Sequence, residues 1–154
     1  MRTLIRNGAI VTAEETLLAD LLVEDGQVRR VGTDLPSDGA DIFDAGGKLV
    51  LPGGVDAHTH ITLNLDTARG TDTYYRGTAP AAAGGTTTII DHPAFMTPGR
   101  YLDYHNAAYR NLASGNSSVA SLFHGLALRG EAARSEVIAR LPGTGCSSCK
   151  ASWS

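Results

Sequence analysis

Cysteine is scarce: the 154-residue chain has two, Cys146 and Cys149, both in the stretch GCSSCK. That excludes a disulfide framework. A lone Cys-x-x-Cys could be half a zinc site or a redox pair. A zinc knuckle needs a second pair, which the sequence does not hold, and a redox site needs a helix start just after a strand. Incidental reduced thiols are therefore the expectation, and a small redox or zinc-binding module is the alternative. No stretch approaches the ~20 apolar residues of a membrane span. The N-terminal MRTLIRNGAIVT is interrupted by Arg2 and Arg6 and lacks a signal peptide's apolar core. An excess of basic residues is also missing, with 13 Lys and Arg against 16 Asp and Glu and a net charge of −3. Nucleic acid and membrane are accordingly not expected partners, and the cytoplasm is the default location.

What is present suits a globular protein, with 42% hydrophobic and 19% charged residues, enough for one domain or a piece of a larger one. Residues 1–50 read as short strands and turns. Asn7-Gly8 and Asp25-Gly26 lie between apolar runs, the strongest short hairpin signal, and Gly46-Gly47 separates two more extended pieces. After Pro52 the rhythm changes. VDAHTH is a strand candidate, followed by a loop rich in Thr, Asp and Gly up to about residue 72. TYYRGTAPAAAGG reads as a helix stopped by Gly84-Gly85, with Pro80 awkward in its interior. TTTIID is a β-branched buried strand. PGRYLDYHNAAYRNLAS is a helix with Tyr101, His105, Ala108 and Leu112 along one side. SVASLFHGLAL is a third strand, EAARSEVIARL a second amphipathic helix, and GCSSCK opens a fourth strand. Such alternation means βαβ units and a parallel sheet. The fold class is α/β: half of a (β/α)8 barrel over residues 51–154, behind a small β-layer over 1–50. A whole barrel takes about 250 residues, so the chain reads as cut off midway.

The chemistry concentrates in GGVDAHTHITL, residues 53–63. On a strand, His58 and His60 point to one face and Thr59 to the other. Two imidazoles then converge as metal ligation requires. By the same parity Asp56 shares that face, as a candidate for orienting a histidine. A bare His-x-His also occurs as two ordinary polar residues at a strand end. Position favours ligation, because barrel enzymes gather catalytic groups at the carboxyl ends of their strands. Asp91 and His92 end the second strand, His124 lies in the third, and Lys150 lies in the fourth. His92 and Asp72 are candidate substrate-binding residues, although Asp72 equally suits a helix cap. Asp91 reads as structural, His124 as a barrel-interior histidine that can support a ligand, and His105 as helix surface or packing.

LVLPGGVDAHTH, GTAPAAAGGTTTIIDH and GCSSCK together resemble the N-terminal motifs of the cyclic amidohydrolases, nearest the hydantoinase and dihydropyrimidinase group. The resemblance spans nearly the whole chain but about the first third of a family member. It implies part of a β-sandwich in front of a metal-dependent TIM-type barrel. It further implies two divalent metal ions, usually zinc. His58 and His60 match the first two ligands. Lys150 matches the lysine that takes up carbon dioxide to form a carbamate bridging both metals, so it counts as catalytic and metal-binding. The implied reaction opens a cyclic amide to an N-carbamoyl amino acid, and the implied assembly is a homotetramer. A non-catalytic scaffold protein of the dihydropyrimidinase-related kind is the alternative. His58, His60 and Lys150 argue against it, because such proteins usually lose the ligands.

The chain departs from the family pattern where it ends. The later histidine ligands, the proton-shuttling aspartate and a tyrosine shortly after the lysine have no counterpart before Ser154. Ala79-Pro80, Ala120-Ser121 and Thr73 also differ from the usual residues, which bears on the pocket rather than the fold. The expected outcome is that the purified 154-residue chain, supplied with zinc, opens no hydantoin ring. Measurable ring opening overturns that expectation.

Overall fold

The computed structural model describes residues 1–62, 73–93, 102–127, 146 and 148–151. Two compact units are present, Met1–Pro52 and Gly53–Ser154.

In the first unit, β1 (Arg2–Val11), β2 (Thr16–Glu24), β3 (Gln27–Gly32), β4 (Asp41–Asp44) and β5 (Leu49–Val50) form one sheet. The order is β3-β2-β1-β4, with β5 beside β1. β1, β2 and β3 pair antiparallel, whereas β4 and β5 lie parallel to β1. Asp25-Gly26 is the expected hairpin turn. Both residues have positive φ, 49° and 76°, as a two-residue turn matched to strand twist requires.

Asn7-Gly8 is not a turn, contrary to the sequence reading. β1 runs straight through it as a bulge, with a register shift between Ile5 and Gly8 and Asn7 at φ 59°. The left-handed backbone that favours Asn-Gly in turns serves equally well in a bulge. Gly8 also permits close approach, because a Cβ there would lie 2.6 Å from Val50 Cγ2. The bulge is clasped by buried Asp20, which accepts from the N–H groups of Asn7 and Leu35, each at 3.1 Å. Leu4, Leu22 and Leu35 pack beside it as the core of this unit.

The second unit contains β6 (Gly54–Thr59), α1 (Tyr74–Ala83), β7 (Thr86–Asp91), α2 (Leu102–Ala113), β8 (Ala120–Phe123), β9 (Gly125–Ala127) and β10 (Cys149–Ala151). β6, β7 and β8 form a parallel sheet in that order, and β10 pairs parallel with β9. The expected third strand is divided at His124, with β8 serving one sheet and β9 the other. Thr73 caps α1, its hydroxyl accepting from the N–H of Arg76 at 3.4 Å. The helix continues through Pro80, and Gly85 follows at φ 90°. Gly53 is required by packing, since a Cβ there would fall 2.1 Å from Thr87 Oγ1. Asp72, Tyr101 and the expected helix at 131–141 lie outside the described residues, and the His105 side chain lies outside the described groups.

The core of this unit joins Tyr74, Ile89, Ala113, Phe123 and Cys146. Tyr74 and Tyr109 meet Phe123 edge-on, at centroid distances of 6.4 and 6.5 Å. The buried side of α2 is therefore Asn106, Tyr109 and Ala113, and not the side through Ala108 and Leu112, which are exposed. The sequence reading did not assign the buried side, and a buried asparagine occupies it, where its Nδ2 donates to Cys146 Sγ at 3.0 Å. A buried tyrosine hydroxyl needs a partner. Tyr74 finds it in Asp91, its hydroxyl donating to Oδ2 at 2.5 Å.

Two substitutions test these clasps. Asp20→Ala strands the N–H groups of Asn7 and Leu35 and is expected to cost about 2 kcal/mol. Tyr74→Phe removes a donor from a carboxylate with no solvent exposure and is expected to cost about 2 kcal/mol. Urea denaturation followed by circular dichroism reads both, and unchanged midpoints would contradict them.

Candidate functional site

Parallel strands deliver their carboxyl ends to the same side of a sheet. Here that brings together His58 and His60 from the end of β6, His92 after β7, and His124 after β8. The pairing of β6 with β7 contains a bulge. Asp56 stands opposite Ile89 and Thr59 opposite Asp91, so β6 spends three steps where β7 spends two. Bulges re-aim side chains and free main-chain groups from the ladder. One consequence corrects the sequence reading. The alternation that put Asp56 on the face of His58 is broken, and Asp56 Oδ1 instead accepts from the backbone N–H of His58 at 3.0 Å. It shapes the strand end.

His58 Nε2 and His60 Nε2 lie 3.2 Å apart on exposed side chains. His60 Nδ1 lies 3.2 Å from the carbonyl oxygen of His92. A carbonyl only accepts, so His60 carries a proton on Nδ1, and in the neutral ring the Nε2 lone pair faces His58. Such a contact fixes the tautomer of a metal-binding imidazole. Two imidazole nitrogens on one tetrahedral zinc, each at ~2.05 Å, would be about 3.3 Å apart. The pair therefore fits a divalent ion as two donors. Among the described residues no third His, Cys, Asp or Glu joins them to complete a metal-binding group.

The backbone at Ile61, just after His60, is held by Asp91. Its Oδ1 accepts from the N–H of Ile61 at 2.9 Å while Oδ2 takes the Tyr74 hydroxyl. Burial pushes the Asp91 carboxyl above its ordinary range, and the Tyr74 hydroxyl, the Ile61 N–H and the nearby His60 hold it partly back. Burial, and then the Asp91 hydrogen bond, push the Tyr74 hydroxyl far up, so it remains a donor at every physiological pH. Asp91 thus serves the architecture, in line with its structural reading.

His92 is buried, its N–H donating to Thr59 O at 2.9 Å and its ring 4.2 Å from that of His58. Its ring also stacks on His124, at 4.2 Å and 27°. His124 Nε2 lies 3.4 Å from Ala57 O, and Ser148 Oγ lies 2.5 Å from His124 Nδ1. The backbone of Lys150 sits in β10 opposite Leu126. Its side chain, like that of Cys149, lies outside the described groups, and Asp72 lies outside the described residues. Cys146 is a buried thiol in the core, which suits packing better than redox exchange. Two contributors were not singled out from sequence. Tyr74 read as an ordinary helix residue. Ser148 carried a faint signal, two residues before the candidate lysine.

Comparison with known proteins places this arrangement. Residues 49–121 match the amidohydrolase family. The chain is 44% identical over 127 residues to a D-phenylhydantoinase of Escherichia coli O1:K1, covering 82% of this chain and 28% of that protein. Among solved structures, the dihydropyrimidinase from Brevibacillus agri NCHU1002 superposes with a TM-score of 0.84 at 33% identity, over 92% of this chain and 31% of that one. The L-hydantoinase from Arthrobacter aurescens does so with a TM-score of 0.76 at 30% identity, over 94% and 31%. The chain thus spans under a third of the length of these relatives. The β6–α1–β7–α2–β8 succession is the opening of the amidohydrolase barrel. By motif, sequence and fold, the chain belongs to the amidohydrolase family, in its hydantoinase and dihydropyrimidinase branch.

Proposed function

We propose that this chain carries the opening segment of a metal-dependent hydrolase that adds water across the C–N bond of a hydantoin or dihydropyrimidine ring, giving an N-carbamoyl amino acid. The observation that carries this reading is the His58–His60 pair, 3.2 Å apart at Nε2 with the His60 tautomer set by a carbonyl. Relatives named as hydantoinases and a dihydropyrimidinase support the substrate class. Two divalent ions, zinc by preference, would be held by His58, His60 and Lys150 as its carbon-dioxide-derived carbamate, with further donors from elsewhere in the protein. Metal bound there supplies an activated water near neutral pH and polarises a carbonyl.

The chain's own groups do the positioning. The His92 carbonyl orients His60, Asp91 holds Ile61 just beyond it, and the buried His92 ring backs His58. We further assign His92 and Asp72 to the substrate side, the cytoplasm as location, and a homotetramer as the assembly. No helix among the described residues is long and apolar enough to cross a membrane.

Chelator competition with zinc tests the metal assignment directly. The wild-type chain is expected to bind zinc, and His58→Ala or His60→Ala to weaken binding at least about tenfold. Equal affinity in all three proteins would overturn it.

A further inference from the structure

His124 occupies a singular place in the fold. It is the one-residue gap between β8, which pairs with β7, and β9, which pairs with β10. Its backbone N–H donates to Asp91 O at 2.9 Å. Its ring reaches two further strands, at Ala57 O of β6 and at Ser148 Oγ just before β10. The carbonyl only accepts, so a neutral ring bears its proton on Nε2 and Nδ1 accepts from the Ser148 hydroxyl. The face of the ring lies against His92. One side chain therefore touches three neighbouring segments: β6 at Ala57, the residue after β7 and the residue before β10.

The strand beyond Ser148 needs such help. β10 has three ladder positions, Cys149, Lys150 and Ala151, opposite Gly125, Leu126 and Ala127. A slip of one residue would turn every side chain of that strand to the other face. Three pairs alone specify register weakly. Ser148 is held twice, by its carbonyl accepting from Gly125 N–H at 2.9 Å and by its hydroxyl on His124.

We propose that His124, through Ser148 and Ala57, is a positioning residue that locks the register of the lysine strand β10 and ties it to β6, the strand that holds His58 and leads into His60. This rests on the reading of those three residues as one metal site. The register lock itself does not need the metal, so the two ideas fail separately.

Amide hydrogen exchange by NMR on the full 154-residue chain tests the lock. In Ser148→Ala and His124→Phe, the Gly125 amide is expected to exchange at least about tenfold faster while the β7 amides keep their protection. His124→Asn presents Oδ1 near the place of Nδ1 and is expected to restore protection at Gly125. The nitrogen shifts of wild-type His124 are expected to show Nε2 protonated. Unchanged Gly125 exchange in both variants overturns the lock, as does protonation at Nδ1 alone. Equal loss of protection throughout β7 overturns it too, by showing general destabilisation. Zinc titration with chelator competition tests the tie to β6. Where wild-type zinc binding depends on His58 and His60, His124→Phe is expected to weaken it about tenfold and His124→Asn to recover part of the loss. Unchanged affinity in His124→Phe overturns the tie. A wild-type chain that binds no zinc overturns the metal reading, and the exchange experiment still decides the lock.

Discussion

A carbonyl oxygen accepts hydrogen bonds and never donates them, and the arrangement of imidazoles at the strand ends depends on that asymmetry. The His92 carbonyl compels the proton of His60 onto Nδ1, which leaves Nε2 toward His58. The Ala57 carbonyl does the converse for His124, placing its proton on Nε2 and turning Nδ1 into an acceptor for Ser148. Both carbonyls are available because the ladder is interrupted there, at the end of β7 for one and at the β6 bulge for the other. Regular pairing would have consumed these groups, and each imidazole would be free to choose its tautomer.

Beneath this layer of rings lies a buried carboxylate. Asp91 accepts from Ile61 and Tyr74 with no exposure to solvent, so its charge is answered by donors from a loop and a helix rather than by water. A buried charge is tolerable only when it is so answered. The same bonds couple the chain just after His60 to the first turn of α1, and through the Tyr74 ring to the core around Phe123. Packing and chemistry are thus joined at Asp91, with the apolar cluster on one side and the histidines on the other.

Much of the architecture was legible along the chain, because the signals were local. Asp25-Gly26 demanded a left-handed turn, TTTIID a buried strand, and Gly84-Gly85 a helix stop. Where local signals were shared between structures, the reading failed. Asn7-Gly8 suits both a turn and a bulge, and only the close approach of Val50 to Gly8 decides between them. The buried side of α2 was not legible from the sequence, because it includes Asn106, whose partner Cys146 is 40 positions away. The alternation from Asp56 to His58 failed for want of one fact, the unequal number of steps on β6 and β7.

The sequence by itself determined the parallel alternation of strands and helices, the family, and the pair His58 and His60, since residue type and a spacing of two are properties of the chain. Tertiary structure alone decided which nitrogen of His60 and of His124 bears the proton, that Tyr74 answers Asp91, and that His124 joins β6 to the start of β10. Those outcomes turn on carbonyls, hydroxyls and rings separated by 17 to 67 residues. Nothing in the order of residues states which of these meet until the strands are laid side by side.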